Sequence, residues 1–319
     1  MSKKILITGT AGFIFSNFIK KVLKEESDNY SFIGIDKLED NFNFSNLTEH
    51  PNYKFYLGDI SDDHFIESVF RIEKPDFVIN GAARSFVGSS IENAKPFIKS
   101  NVLGTQVLVD ASVKYGIERF IQISSDEIYG HLKNDEPAWS EEASPLPRNP
   151  YSASKYASEL VVYAANQTHE LNYNITRSCN IYGKSQPNRN LIPMAINSIF
   201  KNKTIPIHSD GSQKRCWDYV ENKCDAIMHI LKNAPPNNIY NLGPGTEMTN
   251  LEMVNKICDY FGKGKSLIKT GFERKGIDNR YAVKTTKLYD LGYKPKYNFD
   301  QGFEKTLKWY ENNLKYLDQ

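Results

Sequence analysis

Short runs of β-branched and apolar residues alternate with stretches of helical periodicity through the first half of this chain, and that alternation limits the fold more than any other feature. KILIT (4–8), FIGID (32–36), KFYLGD (54–59), DFVIN (76–80), RFIQIS (119–124) and YNITRS (173–178) have the length and composition of buried strands. Helical stretches separate them: one from the turn after residue 8 to about residue 26, one over 94–115, and YSASKYASELVVYAANQ, which Pro150 opens. Strands buried on both faces and joined through helices make a parallel sheet covered on both sides, with right-handed crossovers. After residue 180 the texture changes. SQPNRN (185–190) and NAPPNN (233–238) are loop-like, and the elements are shorter and mixed. The expected division is a first domain over 1–180, to which the chain returns around 216–243, and a smaller α/β region over 181–319.

The first strand runs into TGTAGFIFSNF (8–18). Gly9 permits a tight turn, and Gly12 lets the backbone approach an anion that faces the N–H groups and dipole of the following helix. Asp36 ends the second strand, where a carboxylate accepts hydrogen bonds from an adenosine ribose and repels a 2′-phosphate. Strand, turn, helix, strand and acid in this order predict an α/β, Rossmann-like doubly wound sheet that binds NAD rather than NADP. A third glycine would ordinarily stand at position 15, where it serves helix–sheet packing. This chain has Phe15. The ring is expected to rest against Gly34 and the Gly81-Ala82-Ala83 run, or to push the helix slightly outward.

Composition removes several classes of function. Lys+Arg 40 against Asp+Glu 38 leaves a net charge of +2, which gives no reason to expect nucleic acid or an anionic membrane as partner. Cys179, Cys216, Cys224 and Cys258 form no CxxC pair and have no metal-ligand spacing, so they read as reduced packing residues with no metal. The apolar run after MSKK is too short for a signal or spanning segment, and a cytoplasmic setting is expected.

Taken together, TGTAGFIFSN, IDKL (35–38), GDI (58–60), AARSFV (82–87), SSDEIYG (124–130), YSASK (151–155), NIYG (180–183), LIP (191–193), RCWDYV (215–220), YNLG (240–243) and DNRYA (278–282) make the chain resemble the extended short-chain dehydrogenase/reductases. Within them it is similar to the nucleotide-sugar 4,6-dehydratases, nearly end to end. The resemblance implies that Gly9, Gly12, Phe13, Ile14, Asp36, Lys37, Asp59, Ile60, Ala82 and Ala83 hold NAD, together with Tyr151 and Lys155. Tyr151 and Lys155 lie one helical turn apart on one face, where an ammonium is expected to lower the phenol's pKa. Such a tyrosine takes a hydroxyl proton while hydride leaves the same carbon, and Ser125 holds the reacting oxygen.

Asp126 and Glu127 set the dehydratases apart from the epimerases, which usually have small or neutral residues there. Once carbon 4 of a hexose is a ketone, the carbon-5 proton is acidic. By family analogy Glu127 removes it, and a protonated Asp126 gives its proton to the departing carbon-6 hydroxyl. On the substrate side the resemblance implies Ser85, Phe86, Gly88, Asn180, Leu191, His208, Arg215 and Arg280, the two arginines clamping a pyrophosphate. Glucose-specific retaining members typically carry Glu, His and Asp where this chain has Arg84, Phe86 and Gly88. Gly88 is expected to open room for an N-acetyl group, so the expected substrate is UDP-N-acetylglucosamine over UDP- or dTDP-glucose, with retention and inversion at carbon 5 both open. An NDP-sugar 4-epimerase or decarboxylase, and a non-enzymatic nucleotide-binding protein, are the alternatives. The helices over 94–115 and 151–167 are expected to pair with their copies in a homodimer.

Overall fold

The protein was analysed as a computed structural model, which describes residues 2–39, 43–272, 276 and 278–318. Its central sheet has seven parallel strands: β1 (Lys3–Thr8), β2 (Tyr30–Asp36), β3 (Tyr53–Leu57), β4 (Phe77–Asn80), β5 (Arg119–Ser125), β6 (Tyr173–Ser178) and a later strand, β10 (Asn238–Leu242). Their order is β10-β6-β5-β4-β1-β2-β3. The order reverses between β1 and β4, and open α/β sheets bind ligands at the carboxyl ends of the strands beside such a reversal.

Successive side chains on a strand point to opposite faces, so β1 serves two cores at once. Ile5 and Ile7 pack with Phe15, Phe18, Ile19 and Val22 of α1 (Phe13–Glu25) on one face. Leu6 packs with Ile66, Val69 and Phe70 of α2 (Asp63–Glu73) on the other. That second face also carries the helical path after β4. Two short helices, α3 (Val87–Glu92) and α4 (Lys95–Phe97), lead into a π-helical stretch over Ile98–Leu103 and then α5 (Gly104–Tyr115), beside which lies α6 (Pro150–His169). The sequence predicted one helix over 94–115; the wider turn in its middle is a difference. It carries Asn101 inward, where Oδ1 accepts from the Arg84 N–H at 2.8 Å and Nδ2 donates to the Arg84 carbonyl and to Ser154 Oγ.

A chain of buried polar groups crosses the strand ends. Thr8 Oγ1 donates to Asn80 Oδ1 (2.8 Å) and accepts from the N–H groups of Gly81 and Ala82. Asn80 Nδ2 donates to Gln122 Oε1 (2.9 Å) and to Thr105 Oγ1 (3.0 Å), and Gln122 Nε2 reaches Ser158 Oγ.

The remaining elements follow β6 in the chain, and those beside the cavity build over the carboxyl ends. They comprise β7 (Asn180–Tyr182), α7 (Leu191–Phe200), β8 (Ile205–His208), β9 (Lys214–Tyr219), α8 (Val220–Asn233), β11 (Glu247–Thr249), α9 (Asn250–Phe261), β12 (Ile268–Phe272), β13 (Arg280–Tyr281), α10 (Thr286–Asp290) and α11 (Phe299–Asn312). Strand β9 pairs with β7, β11 and β13, and β8 pairs with β12. Helix α8 packs on α1, and β10 then extends the main sheet beside β6.

Phe15 is buried, and the space for its ring comes from Gly81: a Cβ at that position would overlap the ring. Gly34, the other expected neighbour, has its open side filled by Tyr53 instead. Gly81→Ala is therefore expected to destabilise the protein by about 1–3 kcal/mol through overpacking. Phe15→Ala in the same chain removes the clash, so chemical denaturation should show the double variant losing clearly less than the sum of the two single changes.

Candidate active site

Between the β1–β4 reversal and the C-terminal elements lies a cavity of about 630 Å³. One end is formed by the glycine turn. Gly9 has φ +78°, and a Cβ there would sit 3.0 Å from the Gly81-Ala82 backbone. Gly12 caps α1 without a side-chain hydrogen bond, so the cap residue itself leaves the first-turn N–H groups uncovered, and Phe13 and Ile14 line the cavity beside it. Asp36 is held from two sides: Oδ2 accepts from the Ala11 N–H and Oδ1 from the Leu38 N–H, each at 2.9 Å. Burial raises its pKa against those hydrogen bonds. Lys37, Asp59, Ile60, Ala82 and Ala83 line the same end, with Lys37 Nζ 3.5 Å from Asp59. An anion-ready helix start, a turn closed to any Cβ and an acid at the tip of β2 fit a dinucleotide.

The other end gathers Ser125, Asp126, Glu127, Tyr151 and Lys155. Ser125 ends β5, and its Oγ accepts from the Glu127 N–H at 3.2 Å, opening a 3-10 turn over Asp126–Tyr129. Tyr129 anchors that turn from behind. Its hydroxyl donates to Asn241 and accepts from Arg177, whose guanidinium pairs with Glu159 at 2.7 Å. Asp126 is 1% exposed, with Oδ1 3.4 Å from Ser125 Oγ and Oδ2 buried without a hydrogen-bond partner among the described residues. Burial, aided by the charge of Glu127, pushes its pKa up to about 8. Glu127 is less buried, and its Oε2 accepts from Asn149 Nδ2 at 3.3 Å.

The expectation that Lys155 lowers the pKa of Tyr151 is corrected. Burial and the charges of Glu127 and Asp126 raise the phenol, while a hydrogen bond with Ser125 opposes them. Lys155 donates to the Ile123 carbonyl, and burial brings its own pKa down to about 8.

Ser85, Phe86, Asn180, Leu191, His208 and Arg215 all line the cavity. His208 sits at its rim, with Nδ1 3.3 Å from the Phe272 carbonyl oxygen. Two expected substrate residues do not line it. Arg280 lies within β13, where neighbours alternate in direction: Tyr281 faces the cavity and stacks under Arg215, 4.5 Å from guanidinium to ring centre. Arg280 turns the other way, to the Glu247 carboxylate (2.6 and 2.7 Å) and the carbonyls of Lys133, Asn134 and Glu136. Gly88 is also outside the lining. The space beside it is taken by the Phe86 ring, which a Cβ at Gly88 would meet at 3.1 Å.

Sequence reasoning missed Arg189, Gln213, Lys223 and Asn250, which also line the cavity. The Arg189 guanidinium lies 4.8 Å from the centre of the Phe86 ring. Polar residues in a loop or a mixed helix carry no periodic signal of which way they face. Tyr281 had a signal, since it lies inside DNRYA.

The family model described as GDP-mannose 4,6 dehydratase matches residues 6–306. The chain belongs to the nucleotide-sugar 4,6-dehydratase family of extended short-chain dehydrogenase/reductases. Relatives span this 4,6-dehydratase over nearly its whole length. Low-salt glycan biosynthesis protein Agl12 of Haloferax volcanii is 38% identical over 96% of this chain and 98% of its own. The dTDP-glucose 4,6-dehydratase of Streptomyces niveus is 35% identical over 97% and 93%. Among solved structures, DesIV, the dTDP-glucose 4,6-dehydratase of Streptomyces venezuelae determined with NAD bound, superposes with a TM-score of 0.93 at 34% identity, covering 98% of both chains. Among the described residues no helix is long and apolar enough to cross a membrane, and no cluster of ligands would hold a metal ion.

The buried acid gives the dehydratase a pH-dependent stability. Between about 4 and 8 the unfolded chain has released the Asp126 proton and the native chain still holds it. Native stability therefore falls with rising pH in that window, by at most about 1.4 kcal/mol per unit from this group. Asp126→Asn removes the slope, so in urea titrations the variant should gain stability over the parent at pH 8 relative to pH 5.

Proposed function

We propose that the protein is an NAD-dependent dehydratase that converts an NDP-hexose to the NDP-4-keto-6-deoxyhexose. The observation that carries this is the pair of adjacent carboxyl groups in unlike surroundings, Asp126 enclosed and Glu127 partly open, beside Tyr151 and Ser125 in one cavity with a dinucleotide cradle. Gly9, Gly12, Phe13, Ile14, Asp36 and Lys37 would hold the cofactor, with Lys155 at its far end. NAD, when bound, supplies the hydride acceptor for oxidation at carbon 4 and the donor for reduction at carbon 6.

The remaining steps belong to side chains. Ser125 and Tyr151 hold the carbon-4 oxygen and carry its proton. Glu127, the more exposed carboxyl group, removes the carbon-5 proton. Asp126, kept neutral by burial, donates a proton to the departing carbon-6 hydroxyl. An environment that separates two neighbouring carboxyl groups in this way supports water elimination over simple epimerisation. Arg215, braced against Tyr281 and the carbonyls of Lys214, Asn279 and Asp278, suits the substrate diphosphate.

For the sugar, the named dTDP-glucose dehydratases favour a glucose nucleotide. The Gly88 argument for an N-acetyl group loses its ground, because the Phe86 ring occupies that space. UDP-N-acetylglucosamine remains the second reading, on the apolar face that Phe86 presents to the cavity.

Purified protein incubated with UDP- and dTDP-hexoses, without added reductant, is expected to yield a product lighter by one water, with the best nucleotide and the carbon-5 configuration read by mass spectrometry and NMR. Products of unchanged mass would replace this reading with an epimerase. Glu127→Gln should lower kcat by about 10²–10⁴-fold. The activity of the parent should fall above pH 8 as Asp126 loses its proton.

Ile98 and Leu103 of the π-helical stretch and Leu160 and Tyr163 of α6 are large, apolar and about half exposed. They support a homodimer through these helices, and light scattering should give twice the chain mass. Leu160→Glu with Tyr163→Glu is expected to return a monomer.

A further inference from the structure

Helix α8 carries a lysine to the floor of the catalytic end. Lys223 is 1% exposed and lines the cavity. Its ammonium donates to Ser178 Oγ, and among the described residues no carboxylate lies within ion-pair distance of it. Elsewhere the buried face of α8 is the apolar packing of Val220, Cys224, Ile227, Ile230 and Leu231, with Asn222 bonded to Asp218 and the Tyr297 carbonyl. A buried ammonium with a hydroxyl for partner is expensive, and a leucine would pack there at lower cost. Burial lowers its pKa to about 8, with Asp218 pulling the other way, so most of it is charged at pH 7.

The register places this charge. Ser178 is the ladder partner of Ser125 on the neighbouring strand. Adjacent strands lie about 4.8 Å apart, so Lys223 stands one strand spacing and one hydrogen bond from Ser125. Hydride transfer requires the reacting atoms to approach within about 3–3.5 Å. If Ser125 and Tyr151 hold the carbon-4 oxygen, a hydride acceptor within that reach would come near the ends of β5 and β6, where Lys223 lines the cavity.

We propose that Lys223 tunes the bound nicotinamide: its ammonium disfavours the cationic oxidised ring relative to the neutral reduced ring, and so favours the oxidation of carbon 4. This rests on the NAD-dependent reading above. In that step the carbon-4 C–H bond breaks and the hydrogen leaves with both electrons for the ring. The hydroxyl proton passes to Tyr151 in its phenolate form, leaving a neutral phenol, the alcohol becomes a ketone, and the ring loses its positive charge. A nearby fixed cation is therefore relieved by the transfer. The return of hydride to carbon 6 restores the ring charge and the unfavourable contact, so the same charge opposes the last step. Lys223 is a positioning residue in this account, acting on the cofactor's equilibrium rather than on a proton of the substrate.

Cofactor-stripped parent, Lys223→Met, Lys223→Gln and Lys223→Arg are compared by equilibrium dialysis against NAD and NADH separately, with folding checked by circular dichroism. The two uncharged variants are expected to bind NAD about tenfold tighter with NADH affinity little changed, which lowers the potential of the bound two-electron couple by about 30 mV. Lys223→Arg should stay near the parent. Unchanged NAD/NADH affinity ratios in both uncharged variants, or weaker NAD binding in them, overturn the inference while leaving the dehydratase reading intact. A parent chain that binds neither nucleotide overturns the NAD-dependent reading itself, and this inference with it.

Discussion

The hydrogen-bond chain from Thr8 through Asn80 to Gln122 holds the working end of this molecule in register. Its members are buried, and each fixes a strand terminus to its neighbour: β1 to β4, β4 to β5, and both to the helices behind. Each bond contributes about 1 kcal/mol net, but an unpaired buried amide costs more, so the set tolerates one arrangement only. Thr8 also receives the Gly81 and Ala82 N–H groups. The glycine turn after β1 and the loop after β4 are thereby fixed together, and the cavity takes its shape between them.

Beyond that frame, the catalytic end is a place where burial decides charge. Two acids adjacent in sequence sit in different surroundings. Asp126 is enclosed, with one oxygen lacking a partner among the described residues, and Glu127 is partly open and hydrogen-bonded to Asn149. Two lysines, Lys155 and Lys223, are enclosed without carboxylate partners at ion-pair distance among the described residues and lose part of their basicity. Such a collection is unfavourable for folding taken alone. The interlocked strand ends and the Arg177–Glu159 pair behind Tyr129 hold it in place, which is the usual relation between a stable scaffold and a strained site.

Much of this was legible in the sequence because local rules and tertiary packing agree there. Strands buried on both faces read as unbroken apolar runs, and glycines before a helix, with an acid ending the next strand, have a single mechanical explanation. The C-terminal region was harder. Strands of two or three residues, such as β13 and β11, exist because β9 pairs with them, not because of their own composition. Arg280 shows the limit most clearly. Its type and spacing suit a phosphate clamp, but strand alternation points it at Glu247 and gives the cavity to Tyr281. Gly88 shows another: a missing side chain creates space only if no neighbour fills it. Lys223 was invisible, since a lysine in a polar helix normally faces water.

The widened turn over Ile98–Leu103 separates two tasks that one helix would otherwise have to share. An inserted residue rotates everything downstream by about 100° relative to a regular helix. Upstream of it the path follows the cavity loop that Asn101 grips; downstream, Val107 and Leu108 meet the sheet. Removing one residue here would turn α5 about its axis, placing Gln106 and Asp110 toward the apolar core. Length is thus constrained at this point of the chain far more tightly than composition, and an alignment gap elsewhere between β4 and β5 would be easier to absorb than one inside this turn.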